Sequence, residues 1–273
     1  LTPLIKFSAT RAYGADVVLH GDNYDEACEA AIERSVQRKA VFIHPFDDNE
    51  VIAGQGTIGL ELLRQNPELD VIVVPVGGGG LIGGIGCAVK AHNPRIEIVG
   101  VQTARLPSMQ AALQQQGPVD LPAKSTLADG IAVRRAGRRT LPLVSRYVDR
   151  IVTVDEDDIA EAILMLLEGE KTVAEGAGAV ALAAVLQGKT GHRGKNIAVL
   201  VSGGNLDVNL LARIIEQGMV RDGRRLRLRI LIPDYPGALE GLTAVISKAR
   251  ANIVETSYNR AHYGVSLNEA AID

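Results

Sequence analysis

Tryptophan is absent from the 273 residues, and aromatic residues make up only 3% of the chain. The sequence therefore has few rings that could stack on bases, and its formal net charge of −3 gives no general attraction to nucleic acid or to anionic lipid. No apolar run approaches the roughly 20 residues that a membrane helix needs. We expect a protein that binds neither nucleic acid nor a membrane.

Cysteine is scarce, and histidine is scattered. The two cysteines, Cys28 and Cys87, have no CxxC spacing and are too few for a disulfide framework, so a reducing cytoplasm is the expected location. The five histidines lack metal-ligand spacing, and no metal is predicted from them. The chain begins at Leu1 without Met, and we interpret this start as a cut end.

Glycine and aliphatic residues dominate instead, with 29 glycines and 47% hydrophobic residues. The hydrophobic pattern predicts helices at 4–13, 25–37 (capped by Asp22 or Asn23), 57–64, 81–92, 138–147, after Asp155, 177–187, 206–217 and 236–250. It predicts strands at 16–19, 40–43, 71–76, 97–102, 151–154, 196–201, 225–229 and 252–261. Strand, glycine-rich turn and helix alternate, which indicates an open parallel α/β sheet with right-handed crossovers.

The pattern changes after Gly218. Residues 225–229 alternate strictly between Arg and Leu, which is typical of a half-buried antiparallel strand. A single strand–helix–strand unit cannot bury its own apolar face. We therefore expect residues 225–273 to be the first half of a small α+β module.

The stretch VPVGGGGLIGG at 74–84 carries the strongest chemical signal. A buried strand that runs through glycines into a helix collects unpaired backbone N–H groups at the positive end of the helix dipole. Such a place binds phosphate, and glycine allows close approach. The alternative interpretation is a tight turn that only serves helix–sheet packing.

The same stretch fits G-x-G-x-x-G through Gly78, Gly80 and Gly83, so a dinucleotide site is a rival. A dinucleotide site needs an acidic residue at the end of the next strand, where Gln102 stands here. This neutral amide argues against NAD. The Walker A pattern also fails, because no Lys-Ser or Lys-Thr follows the glycines.

Several segments in order resemble the threonine/serine dehydratases, which are pyridoxal-phosphate (PLP) enzymes of fold type II, similar to the tryptophan synthase β chain. The segments are ATRAYGADVVLHG (9–21), HPFDDNEVIAGQGTIGLELL (44–63), the glycine stretch, ADGIAV (128–133), AEGAGA (174–179) and VSGGNLD (201–207). HPFDD and VGVQ look most like the catabolic threonine dehydratases. The resemblance implies a remnant of the small domain at 1–43 and a large PLP-binding domain at 44–220. The tail at 225–273 resembles a partial ACT module, which implies an amino-acid effector.

The resemblance also implies the residues that hold PLP. Backbone N–H groups would bind the phosphate, and they belong to Gly77, Gly78, Gly79, Gly80 and Leu81. Ser202 would face the pyridine nitrogen, and its alternative role is a turn residue after a strand. Near the cofactor would lie Phe46, Gly130 and Glu175. For these three, the rival roles are an aromatic packed on the core, a simple turn and a carboxylate at a helix start.

Relatives that bind a divalent metal do so through acidic residues at the positions of Gln102 and Ser108, so a Mg²⁺ site is not expected, while a monovalent cation stays possible. The basic run of Arg134, Arg135, Arg138 and Arg139 is interpreted as a solvated helix face.

The lysine that attaches PLP sits, in this family, in an S-x-K-x-R-G-A motif that is not found here. The lysines present are Lys6, Lys39, Lys90, Lys124, Lys171, Lys189, Lys195 and Lys248. The resemblance implies an oligomeric L-threonine ammonia-lyase, which would also take L-serine, and we expect this polypeptide alone to be inactive. Serine racemization, a non-catalytic fragment that holds the cofactor or regulates, and a nucleotide-binding oxidoreductase remain as alternatives.

Overall fold

The computed structural model describes residues 4–21, 24–260 and 264–273. The chain divides into two compact units, Leu1–Ile214 and Ile215–Asp273. The expected capping residues Asp22 and Asn23 lie outside the described residues. Within those ranges, no helix is both long enough and apolar enough to cross a membrane.

A parallel sheet with the strand order β3-β2-β1-β4 forms the centre of the first unit. Its strands are β1 (Val71–Pro75), β2 (Glu97–Thr103), β3 (Arg150–Val154) and β4 (Ile197–Val199). All of β1 is buried, which explains its continuous apolar run, because a strand covered on both faces has no polar side. The expected α/β fold with a parallel sheet is confirmed.

Helices precede, connect and follow the strands of this sheet along the chain. They are α1 (Leu4–Ala12), α2 (Tyr24–Arg38), α3 (Asn49–Gln65), α4 (Gly80–His92), α5 (Ser108–Gln114), α6 (Thr140–Tyr147), α7 (Glu156–Gly169), α8 (Gly176–Leu186) and α9 (Val208–Arg221). α4 packs on β1, α3 and α6, while α8 packs on all three of β1, β2 and β3 and on α7. Ile72 and Val74 of β1 share one core cluster with Ile82 and Ile85 of α4.

Two aspartates, Asp48 and Asp155, are the N-cap residues of helices α3 and α7 in the first unit. The Asp48 carboxylate accepts the N–H groups of Glu50 and Val51, so α3 begins at Asn49 rather than at 57. The expected cap at Asp155 is confirmed, and this residue forms a capping box with Asp158. Helix α5 was not predicted, because a segment of two turns gives too little periodicity.

The strands predicted at 16–19 and 40–43 are wrong. Both segments lack strand pairing within the described residues. Val18, Leu19, Val41 and Ile43 have the apolar character of a strand, yet they are between 51% and 89% exposed. A strand is stabilised by its hydrogen-bonding neighbour, so a suitable side-chain pattern cannot form one alone.

The second unit contains a small antiparallel sheet with the order β5-β7-β6. Its elements are β5 (Ile230–Pro233), α10 (Ala238–Lys248), β6 (Tyr258–Asn259) and β7 (Glu269–Ile272). The buried core consists of Ile232, Ala270 and Ile272. Helix α10 has no buried residue, so the unit is thinly packed.

The strand predicted at 225–229 is displaced, because β5 begins only at Ile230, which pairs with Ile272. Arg229 lies outside the β5–β7 pairing, and its side chain forms an ion pair with Asp273. Strand β7, with only four residues, was missed. The strand predicted at 252–261 shrinks to the two residues of β6, and its last residue lies outside the described part.

Candidate functional site

The glycine loop, residues 77–80, joins β1 to α4 and leaves its backbone donors open. The flanking N–H groups are used: Val76 donates to the carbonyl of Val101 at 2.8 Å, and Gly83 donates to that of Gly79 at 2.9 Å. For the N–H groups of residues 77–82 between them, the described residues supply no acceptor. A row of open donors at a helix start is suited to an anion.

The carbonyl side of the glycine loop is anchored inward. The Gly78 carbonyl accepts from the Thr140 hydroxyl at 2.6 Å and from the Gly137 N–H at 3.3 Å. Because a trans peptide points its N–H opposite to its carbonyl, the N–H of Gly79 is directed away from Thr140. Gly79 has φ +96°, and a Cβ there would lie 2.9 Å from the Thr140 hydroxyl. This position requires glycine.

Phe46 closes one side of the glycine loop. A Cβ on Gly78 would overlap the Phe46 ring, and a Cβ on Gly80 would lie 2.7 Å from the Phe46 carbonyl oxygen. The His44 ring packs edge-on against the Phe46 ring with centroids 4.5 Å apart. Its Nδ1 accepts the N–H groups of Phe46 and Asp47, and burial lowers the pKa of His44.

Asp47 connects this segment to α6. Its carboxylate accepts the N–H groups of Arg138, Arg139 and Thr140 at 2.8–3.2 Å. The basic run from Arg134 to Arg139 therefore lies in the loop before α6, and the interpretation as a helix face is wrong. Sequence reasoning missed Asp47, because its partners lie about 90 positions away in the chain.

Glu175 organises the second side of the site. Its carboxylate accepts the Asn205 N–H at 3.0 Å, and a Cβ on Gly130 would lie 3.0 Å from its Oε1. Gly203, with φ +78°, also lies against this carboxylate. Glu175 is the N-cap of α8, but its side chain makes no cap hydrogen bond there. The interpretation as a helix-start carboxylate is thus only part of its role.

The two sides meet at one edge of the sheet. Ile131, next to Gly130, comes within 3.1 Å of where a Cβ on Gly77 would be. β1 and β4 are parallel, and Leu200 donates to the Val73 carbonyl, so Ser202 follows β4 at the edge where the glycine loop follows β1. The carbonyl of Ser202 lies directly against Gly178 of α8. Leu81 lies in the first turn of α4.

The positions considered for a metal are occupied by neutral side chains with protein partners. Gln102 is 1% exposed, and its Oε1 accepts the Gln110 N–H at 3.0 Å. Its Nε2 is buried without a partner among the described residues. The Ser108 hydroxyl donates to the Val133 carbonyl at 2.6 Å. Throughout the described ranges, no three His, Cys, Asp or Glu side chains form a group that could hold a metal ion.

Comparison with known families bears on the kind of cofactor that this chain binds. Residues 2–203 match the family described as "Pyridoxal-phosphate dependent enzyme". The chain belongs to this family. Membership implies pyridoxal phosphate as the cofactor, and the rival dinucleotide interpretation is abandoned.

Individual relatives indicate which enzymes of this family the chain resembles. The chain is 48% identical over 271 residues to an L-threonine ammonia-lyase of Thermotoga maritima, covering 99% of this chain and 67% of that enzyme. The processed form of threonine deaminase isoform 2 from Solanum lycopersicum superposes with a TM-score of 0.74 at 39% identity, over 79% of this chain and 63% of that one. Maize serine racemase gives a TM-score of 0.72 at 32% identity, over 81% and 68%. The parallel sheet is therefore that of a PLP enzyme of fold type II, and the chain is a homologue of threonine ammonia-lyases.

Proposed function

We propose that this chain carries the cofactor-binding part of an L-threonine ammonia-lyase that also accepts L-serine. The observation that carries the proposal is the row of N–H groups at 77–82, which lack acceptors among the described residues and stand between Phe46 and the Gly130–Ile131 backbone. The identity to an L-threonine ammonia-lyase supports the choice of substrate.

Residues at the carboxyl edge of the parallel sheet could contact both the phosphate and the ring of pyridoxal phosphate. The N–H groups of Gly77, Gly78, Gly79, Gly80 and Leu81 would hold the phosphate dianion without a basic side chain, since open amides and the helix dipole supply the positive potential. Phe46 would lie beside the ring. Glu175 and Gly130 would border it on the opposite side.

Ser202 would be the partner of the pyridine nitrogen. When bound, pyridoxal phosphate supplies an electron sink for the α-carbon of an amino acid, so that a β-hydroxyl can be eliminated and a 2-oxo acid and ammonia are released. A neutral hydroxyl at Ser202 cannot stabilise a positive ring nitrogen as a carboxylate would. Such an environment would weaken the electron sink and would favour elimination of the β-hydroxyl over storage of charge in the cofactor.

The proton transfer at the α-carbon needs a base, and the described structure identifies four lysines that have other partners. Lys90, Lys171, Lys189 and Lys195 contact Asp149, the Glu168 carbonyl, Asp158 and Asp70, respectively. No lysine has the S-x-K-x-R-G-A context. We therefore expect the polypeptide alone to bind cofactor without turnover.

We also propose the division into a small-domain remnant at 1–43, a PLP domain at 44–220 and an ACT-like module at 225–273 with an amino-acid effector. The antiparallel sheet with α10 supports a module of this size. Catabolic type, homo-oligomer and cytoplasmic location stay predictions.

Calorimetric titration with pyridoxal 5′-phosphate and with pyridoxal tests the phosphate site. We expect pyridoxal to bind at least ~10-fold more weakly, because it cannot engage the open N–H groups. Gly79→Ala should lose binding, whereas the control Gly188→Ala, also at positive φ but with no atom within 4 Å of the new Cβ, should keep it. Equal affinity for the two ligands would contradict the proposal.

An assay with L-threonine and PLP should yield no sustained 2-oxobutanoate. Sustained production would refute the inactivity of the isolated polypeptide. Serine racemization is the second candidate, favoured by the similarity to maize serine racemase. If the chain does act on L-serine, pyruvate identifies a lyase and D-serine identifies a racemase.

A further inference from the structure

The segment 125–131, here named the Gly130 segment, is held by one carboxylate from another part of the chain. Glu156 is the first residue of α7, and its side chain is 17% exposed. Its Oε1 accepts from the hydroxyls of Thr126 at 2.7 Å and Thr103 at 3.0 Å, and its Oε2 accepts the Leu127 N–H at 2.6 Å. Two of these three donors belong to the Gly130 segment.

Thr126 links the Glu156 carboxylate to the backbone that follows it through hydrogen bonds. Its hydroxyl donates to Glu156 and accepts the Ala128 N–H at 3.1 Å. At the beginning of the segment, Arg105 donates to the Ser125 carbonyl at 2.8 Å. The end of β2 and the start of α7 therefore fix the first four residues of the Gly130 segment.

The other end of the segment forms one wall of the candidate site. Gly130 lies against the Glu175 carboxylate, and Ile131 lies against Gly77 of the glycine loop. The carbonyl of Leu127 lies directly against Gly176 of α8. A shift of the segment would thus change the spacing between the glycine loop and Glu175.

We propose that Glu156 is a positioning residue for the cofactor site, and that its carboxylate holds the Gly130 segment against Gly77 and Glu175. The inference rests on the proposed function for the identity of the ligand. A carboxylate at the first position of α7 is also stabilised by the helix dipole. That effect does not account for three donors that come from β2 and the Gly130 segment.

Hydrogen exchange and PLP titration on the full chain test this role. Glu156→Gln replaces one acceptor oxygen by a donor, and Thr126→Val removes the relay hydroxyl at nearly constant shape. We expect amide exchange in residues 125–133 to become about 10-fold faster or more, and PLP affinity to fall about 10-fold. Thr126→Ser restores the hydroxyl and should restore both values, and Glu61→Gln on the exposed face of α3 should change neither.

Each result decides a separate question. Unchanged exchange in residues 125–133 of Glu156→Gln overturns the proposed anchor. Faster exchange with unchanged PLP affinity overturns the positioning role and leaves Glu156 as a stabilising residue of the loop. Failure of the unmodified chain to bind PLP counts against the proposed function alone, because the exchange measurement needs no cofactor. Faster exchange spread evenly over the whole chain also overturns the inference, since it reports global destabilisation.

Discussion

The two edges of the parallel sheet differ in how their polar groups are satisfied. At the amino edge, the Glu97 carboxylate pairs with Arg150 at 2.8 Å and with His192 at 3.1 Å, and Asp70 pairs with Lys195. At the carboxyl edge, the N–H groups of 77–82 have no acceptor in the described part of the chain. Closed polar networks stabilise a fold, while open donors at the carboxyl edge are available for a ligand.

The largest effect is expected at the carboxyl edge, from Gly178→Ala. Alanine favours a helix over glycine by about 1 kcal/mol, but the new Cβ would collide with the backbone carbonyl of Ser202. Backbone cannot move aside cheaply, so we expect a net loss of roughly 2 kcal/mol in the free energy of unfolding, together with weaker PLP binding. Denaturant unfolding and PLP titration measure the two effects.

Gly169→Ala is the matched control, since Gly169 ends α7 with no atom within 4 Å of a new Cβ. It should leave stability unchanged or raise it by up to about 1 kcal/mol. Equal stability of the two variants would show that the contact between α8 and the Ser202 loop does not matter.

A smaller effect is expected at the amino edge, from Arg150→Met. The Arg150 guanidinium binds Glu97 and the carbonyls of Lys189 and Thr190, and its side chain is 35% exposed. Partial exposure screens these contacts, so we expect a loss of about 1 kcal/mol in unfolding free energy. PLP affinity should stay the same. The exposed Arg95→Met serves as control, and a change in PLP affinity in Arg150→Met alone would mean that the two edges are coupled.

The smallest effect is a pH dependence of the amino edge. Burial acts to raise the pKa of the Glu97 carboxyl, but hydrogen bonds from Arg150 and His192 outweigh it and hold this pKa below its ordinary value of 4.5. The Asn196 N–H, together with Lys195, lowers the pKa of Asp70. A carboxyl whose pKa is lower in the folded state than in the unfolded state stabilises the fold at pH values above its ordinary pKa. This stabilisation is lost as the pH falls through the pKa of the folded state.

Thermal unfolding at pH 6 and at lower pH checks this expectation. At pH values below about 4.5, the melting temperature of the unmodified chain should decrease. The melting temperature of Glu97→Gln should decrease less steeply, because this variant has no carboxyl at position 97 to protonate. If melting temperature depends on pH in the same way in both proteins, the Glu97 carboxylate does not cause the pH dependence.

The elements predicted well are those whose signal is local. Continuous apolar runs identify β1 and β2, and the four glycines after Val76 identify the helix start at α4. The failures are equally specific. Residues 16–19 and 40–43 have strand character, but pairing depends on a neighbour that no side-chain pattern reports. Asp47 and Glu156 act on residues far away in sequence, so no motif near them indicates their contacts.

From the amino acids alone, the chain specifies a parallel sheet and the glycine loop that we propose for a phosphate, because buried strands and glycines act through their immediate neighbours. Tertiary structure alone decides what surrounds that stretch. Phe46 packs on Gly78, Asp47 caps α6, and Glu156 holds the Gly130 segment. These contacts join residues separated by about thirty to ninety positions, and only the folded chain brings their atoms within hydrogen-bonding or van der Waals distance.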